Sequence, residues 1–121
     1  MGLDMYAYST AAVITATDFD QPKDAQQVAR WRKHPNLHGW MEATYYAKGG
    51  KADSFNCVTL QLTSADIDGL EEAVTANVLP DTTGFFFGQS QPEDKADDLA
   101  FIAAARKAFA DGKAVFYTSW W

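Results

Sequence analysis

The sequence predicts an α+β fold: a two-layer α/β sandwich with helices on one face of a small, mostly antiparallel sheet. Three observations predict it. Segments that alternate apolar residues and carry aromatics stand at both ends of the chain and near its middle, as strands do. Between them lie segments with apolar residues at helical spacing, bracketed by capping residues and glycines. The connections are short, and 121 residues at 47% apolar and 21% charged composition suit a single globular domain, 1–121.

Taken in order, Leu3 to Ala12 predicts a strand with Leu3, Met5 and Ala7 on one face and Tyr6 and Tyr8 on the other. Asp20-Gln21-Pro22 reads as a helix start, and Val28 and Trp31 lie three apart on a helix that ends before Pro35. A second helix is expected from about Leu37 to Ala47, closed by Gly49-Gly50. Phe55 to Leu62 reads as a strand with Val58, Leu60 and Leu62 on one side and Phe55, Cys57 and Thr59 on the other. Ser64 opens a helix with Ile67, Leu70 and Val74 as its buried stripe. Pro80 to Gly84 is a turn cluster, and Phe85 to Phe87 a short strand. Ser90 and Glu93 have capping-box spacing before a helix that buries Leu99, Ile102, Ala105 and Phe109 and stops at Asp111-Gly112. Ala114 to Trp121 is the last strand, giving the expected order β-α-α-β-α-β-α-β.

Composition excludes several functions. With 10 basic and 16 acidic residues the net charge is −6, which argues against nucleic acid as a partner. The local basic cluster Arg30, Arg32, Lys33 and, when protonated, His34 could serve one anionic group, but it reads first as a solvated helix end. There is no apolar run of about 18 residues and no secretory leader pattern, so a cytoplasmic protein without membrane contact is expected, in the host cytoplasm if phage-encoded. The single cysteine, Cys57, leaves no internal disulfide and reads as a buried strand residue.

His34 and His38 have the spacing of two metal ligands on a helix. Pro35 and Gly39 interrupt that helix and a zincin-type glutamate is missing, so no metal and no cofactor are expected. Serine hydrolase chemistry lacks a Gly-x-Ser-x-Gly elbow. The acid pairs Glu71-Glu72, Glu93-Asp94 and Asp97-Asp98 fall on helix exteriors or first turns.

The aromatics remain. Trp31, Arg32, Asn36, His38, Trp40 and Tyr45 combine stacking surface with a few polar groups, as ligand pockets and interface anchors do. With helices on one face only, the other face is expected to carry Tyr6, Tyr8, Phe55, Phe116 and Trp120, and Tyr6, Tyr8, Phe116 and Trp120, together with the terminal Trp121, are the candidate interface. Gly84-Phe85-Phe86-Phe87-Gly88 is expected to be structural, with at least two of its rings buried.

Several segments resemble a family of small uncharacterised bacterial and bacteriophage proteins. They are Gly2-Leu3-Asp4-Met5-Tyr6, Trp31-Arg32-Lys33, Leu37-His38-Gly39-Trp40, Leu79-Pro80, Thr83 through Gly88, and Tyr117, Ser119 and Trp120. The chain departs from the family pattern at Gln89 to Asp94, and the family carries no established activity. The expected function is a binding or interaction module that self-associates and holds a host protein or a small polar ligand. The alternative is a small enzyme acting on a nucleotide-like or phosphorylated molecule, with His38 as acid/base and Arg32 as anion contact. Acidic mimicry of nucleic acid ranks last, because the carboxylates are scattered over several helices.

Overall fold

In the computed structural model, which describes residues 2–14 and 19–121, the chain runs β1 (Asp4–Thr10), β2 (Gln26–Arg32), α1 (Pro35–Ala47), β3 (Thr59–Leu62), α2 (Ser64–Thr75), α3 (Asp94–Ala110) and β4 (Ala114–Trp120). The strands form an antiparallel sheet in the order β2-β1-β4-β3. The strands nearest the two chain ends therefore lie side by side, with Met5 opposite Ser119 and Ala7 opposite Tyr117. The two-residue period puts Leu3, Met5, Ala7, Trp31, Leu60, Leu62, Val115 and Tyr117 on one face. There they meet Leu37, Met41 and Tyr45 of α1, Ile67, Leu70 and Val74 of α2, and Phe101, Ile102 and Ala105 of α3 in one core. This is the α+β arrangement the sequence predicts, with helices on one face.

The element order differs at its second member. Residues 26–32 form a strand where a helix is expected. Trp31 points into the core between Arg30 and Arg32, which point out, so the local period is two. Pairing with β1, which supplies a full row of backbone partners, outweighs the helical spacing of Val28 and Trp31. The Asp20-Gln21-Pro22 signal belongs to a turn in which the Ala25 N–H donates to the Pro22 carbonyl at 3.2 Å.

Further along, the strand near Phe55 is shorter than expected. Cys57 has a left-handed backbone (φ 62) and is exposed, not buried, and Phe55 lies in the helix-side core and not on the helix-free face where it is expected, because the chain turns before β3 begins. Pro35 and Gly39 both lie inside α1. Proline at the first helical position loses no hydrogen bond. Gly39 is needed because a Cβ there would stand 1.9 Å from the Thr82 hydroxyl oxygen. The loop before the Phe-rich segment thus packs directly on the helix, and the Thr82 N–H donates to Asn36 Oδ1 at 3.0 Å.

Helix boundaries follow local chemistry. Thr63 and Asp66 form a reciprocal capping box on α2. Each described helix closes with a Schellman pair: Gly50 and Gly49 on Tyr45 and Tyr46, Val78 and Asn77 on Ala73 and Val74, Lys113 and Gly112 on Ala108 and Phe109. On α3 the buried stripe is Asp98, Phe101, Ile102, Ala105 and Ala108: Ile102 and Ala105 are buried as expected, Phe109 is partly buried, and Leu99 is exposed. Glu93, without a side-chain cap bond, precedes this helix, so the Ser90 hydroxyl does not cap it.

Candidate functional site

Three strand ends meet at one end of the sheet: the start of β1 and the finishes of β2 and β4, with Asp4 opposite both Arg32 and Trp120. Residues 84–88 close over this end. The Phe87 N–H donates to the Gly84 carbonyl at 3.1 Å, making a tight turn, and the Leu3 N–H donates to the Phe86 carbonyl at 3.3 Å. Phe86, third in that turn, has φ 67, the position and conformation that favour glycine. Gly84 is required because a Cβ there would lie 2.4 Å from the Phe87 ring.

The three phenylalanines then divide. Phe87 folds inward against Trp121, with ring centroids 5.0 Å apart. Phe85 and Phe86 meet edge-on, ring centroids 4.1 Å apart, and stay in water, 78% and 45% exposed. The expectation that two of the three rings are buried is overturned, and the segment is a turn, not a strand. Trp120 is 64% exposed on the neighbouring strand end. Arg32 and Lys33 run alongside: their side chains lie within 3.1 Å of where a Gly2 Cβ would be, and Lys33 lies as close to Gly88. Asp4 accepts from Arg32 at 3.2 Å and from Arg30 at 3.5 Å. Gly2, Asp4, Arg32, Trp120 and Trp121 enclose a small pocket of about 260 Å³.

Behind Phe87 and Trp121 sits His38. It is 1% exposed and ringed by Phe55, Phe87, Tyr117 and Trp121. Its Nδ1 shares a 2.6 Å hydrogen bond with the Tyr117 hydroxyl, and its Nε2 has no partner among the described residues. Burial pulls its pKa from 6.5 down to about 4, because the enclosing rings exclude the water that would solvate an imidazolium. Burial likewise raises the Tyr117 hydroxyl well above its ordinary value. Both groups are neutral at pH 7, and a substrate reaches His38 only if Phe87 or Trp121 moves.

His34 is wired in the opposite way. Asp98, 1% exposed, accepts from Trp31 Nε1 at 3.0 Å and from His34 Nε2 at 2.9 Å. The other ring nitrogen, Nδ1, meets the Ser90 hydroxyl at 2.6 Å, and that oxygen also accepts from the Asn36 N–H at 3.1 Å. His34, Ser90 and Asp98 line a cavity of about 410 Å³ between the start of α1 and the starts of α3 and its preceding loop. Asp98 is thus buried, not on a helix exterior.

The sequence-derived binding residues do not gather into one pocket. Trp31 is buried and holds Asp98; Arg32 is half-exposed at the sheet end; Asn36 secures the 80–84 loop. His38 is enclosed, Trp40 packs partly buried against the core, and Tyr45 is fully buried with its hydroxyl accepting from the Ala52 N–H at 3.1 Å. On the helix-free face Tyr6, Tyr8 and Phe116 form a stacked row, and Arg30 lies over Tyr6 at 5.8 Å. Phe19 closes edge-on over Phe116, held by the Thr59 hydroxyl donating to the Phe19 carbonyl, so Phe116 is fully buried within the chain. Of the interface residues, Trp120 is the freely displayed ring.

Sequence reasoning missed Ser90, Asp98 and the displayed pair Phe85 and Phe86. One signal for Asp98 was present: an acid on the same helical stripe as Phe101, Ile102 and Ala105 is a buried acid seeking donors. Among the described residues no helix is long and apolar enough to cross a membrane, and no group of three or more His, Cys, Asp or Glu could hold a metal. Comparison of the chain with family models, with curated proteins and with solved structures finds no match.

Proposed function

We propose that this protein is an interaction module that self-associates through the sheet end displaying Phe85, Phe86 and Trp120. The observation that carries this is the backbone of Phe86. A bulky residue in a left-handed conformation costs on the order of 1–2 kcal/mol, and here it sets a half-exposed ring beside an even more exposed one. The turn is held by the Leu3 N–H on the Phe86 carbonyl and seats Phe87 in the core, but the Phe86 ring itself stays half in water.

The composition of this end suits a second copy. Exposed phenylalanine and tryptophan with arginine at the margin are the residues that anchor interfaces. Both signs of charge are present, Asp4 beside Arg30 and Arg32, which supports an isologous pairing in which each copy meets the same patch of the other. The 260 Å³ pocket against Trp120 and Trp121 can receive a ring from the facing copy. The segments that resemble small bacterial and phage proteins, Gly2 to Tyr6 and Gly84 to Gly88, also converge here. The alternative with His38 as acid/base is less favoured, because that imidazole is enclosed and faces rings.

Sedimentation and native mass spectrometry of the full chain test this. The expected result is a dimer that becomes monomeric when Phe85, Phe86 and Trp120 are all changed to serine, with unfolding free energy unchanged to within about 0.5 kcal/mol. A wild-type monomer at high micromolar concentration overturns the reading. If that monomer carries a co-purified small molecule, the pocket serves a ligand instead.

A further inference from the structure

The cavity at the start of α1 holds a serine, a histidine and an aspartate in hydrogen-bonded sequence, and we propose that Ser90, His34 and Asp98 form a nucleophilic centre that cleaves small, uncharged acyl esters. It stands apart from the displayed aromatic end and does not depend on self-association.

The bonding order is that of an activated nucleophile. As a carboxylate, Asp98 only accepts, so His34 Nε2 carries a hydrogen and donates it at 2.9 Å. Trp31 Nε1 donates to the other carboxylate oxygen at 3.0 Å and fixes the carboxylate plane. In the neutral imidazole Nδ1 is then the acceptor, and the Ser90 O–H is its donor at 2.6 Å. The roles of the two ring nitrogens are exchanged relative to the usual triad, but the relay is complete. His34 and Asp98 are 3% and 1% exposed, while Ser90 is half-buried at the cavity wall. The base is thus shielded and the nucleophile reachable.

Two features favour charge on the serine oxygen. It accepts the Asn36 N–H at the N-terminus of α1, a helix of 13 residues whose dipole stabilises negative charge there. Asp94 Oδ2 lies 3.6 Å from His34 Nδ1 and stabilises the imidazolium that forms. That carboxylate also disfavours an anionic substrate. Val74, Leu79 and Pro92 give the cavity apolar walls, and its polar wall includes Lys95, whose ammonium donates to the Asn77 side-chain oxygen at 3.2 Å and to the Thr75 carbonyl at 3.5 Å. At about 410 Å³ the space fits a small ester.

The reaction balances without a cofactor. Ser90 Oγ forms a bond to the acyl carbonyl carbon while its proton passes to His34 Nδ1. The tetrahedral adduct collapses, the carbon–oxygen bond to the leaving alcohol breaks, and that oxygen takes the proton from Nδ1. Water then attacks the acyl-serine, delivers its proton to Nδ1, and the carboxylic acid leaves as Ser90 regains its hydrogen.

If Ser90 only caps α1 and His34 only bridges α1 to α3, the serine is an ordinary alcohol. A fluorophosphonate probe separates that case from the nucleophilic one, because it reports nucleophilicity and not position. With the folded full chain the expected result is one adduct per molecule, placed on Ser90 by peptide mass spectrometry and absent from Ser90→Ala. His34→Gln should slow labelling by about 100-fold or more, and p-nitrophenyl acetate should give a burst of one equivalent of nitrophenol. Folded wild-type protein that labels at Ser90 no faster than at its other serines overturns the proposal, whatever the variants do. Labelling at Ser90 that His34→Gln leaves unchanged overturns the role of the base.

Discussion

His34 and His38 stand four residues apart at the start of α1, and both are buried, 3% and 1% exposed. Their surroundings differ completely. His34 has a partner on each nitrogen and opens on a cavity; His38 has one partner, four rings and a bare nitrogen. Equal burial therefore says little about what a histidine does. The supply of donors and acceptors decides whether it can hold a proton, pass one, or merely fill space.

The largest test of this contrast is Asp98. Replacing it with alanine leaves the Trp31 N–H and His34 Nε2 unpaired in the interior, which should cost about 3–5 kcal/mol. Urea unfolding followed by tryptophan fluorescence would measure it. A loss below about 1 kcal/mol would mean that the relay is not held in place by Asp98, and the distinction between the two histidines would weaken.

The next effect is a pH dependence that belongs to His38. Its folded pKa, about 4, lies below the ordinary 6.5, so between those values the unfolded chain binds the extra proton. Stability is therefore full above pH 6.5 and falls as pH drops toward 4, by roughly 3 kcal/mol over that window. His38→Gln should flatten this slope, even though it also lowers stability at pH 7. Retention of the full slope in that variant would assign it to other groups.

The contrast also shows why sequence reading reached the fold before the site. Alternation in β1 and β4, the stripe Ile67, Leu70 and Val74, and the glycines after α1 and α3 are local signals, and each landed close to its element. The strand β2 was missed because a partner strand some twenty residues away decides it, not its own spacing. The relay was harder still. His34, Ser90 and Asp98 are separated by 56 and 64 positions from the histidine, and only the packing of α3 against β2 joins them. Ser90 carried a plausible local reading as a cap for α3, and that competing reading concealed its partnership with α1. The left-handed turn at Phe86 had the opposite problem: a glycine-flanked run of three rings looks like core until the backbone places two of them outward.

That turn supplies the smallest and most discriminating effect. Phe87 shields His38 from one side, whereas Phe86, its neighbour, contributes exposure and backbone strain. Phe86→Gly removes the Cβ from a left-handed position, gaining about 1–2 kcal/mol, and gives back a part of it through the freer unfolded chain. The net expectation is a protein about 0.5 kcal/mol more stable, with the His38 slope between pH 6.5 and 4 unchanged. Self-association should weaken in the same variant, because one displayed ring is gone. Higher stability with weaker association marks a residue kept for a surface. A loss of more than about 1 kcal/mol would instead make Phe86 a packing residue like Phe87, and the display of this turn would lose its meaning.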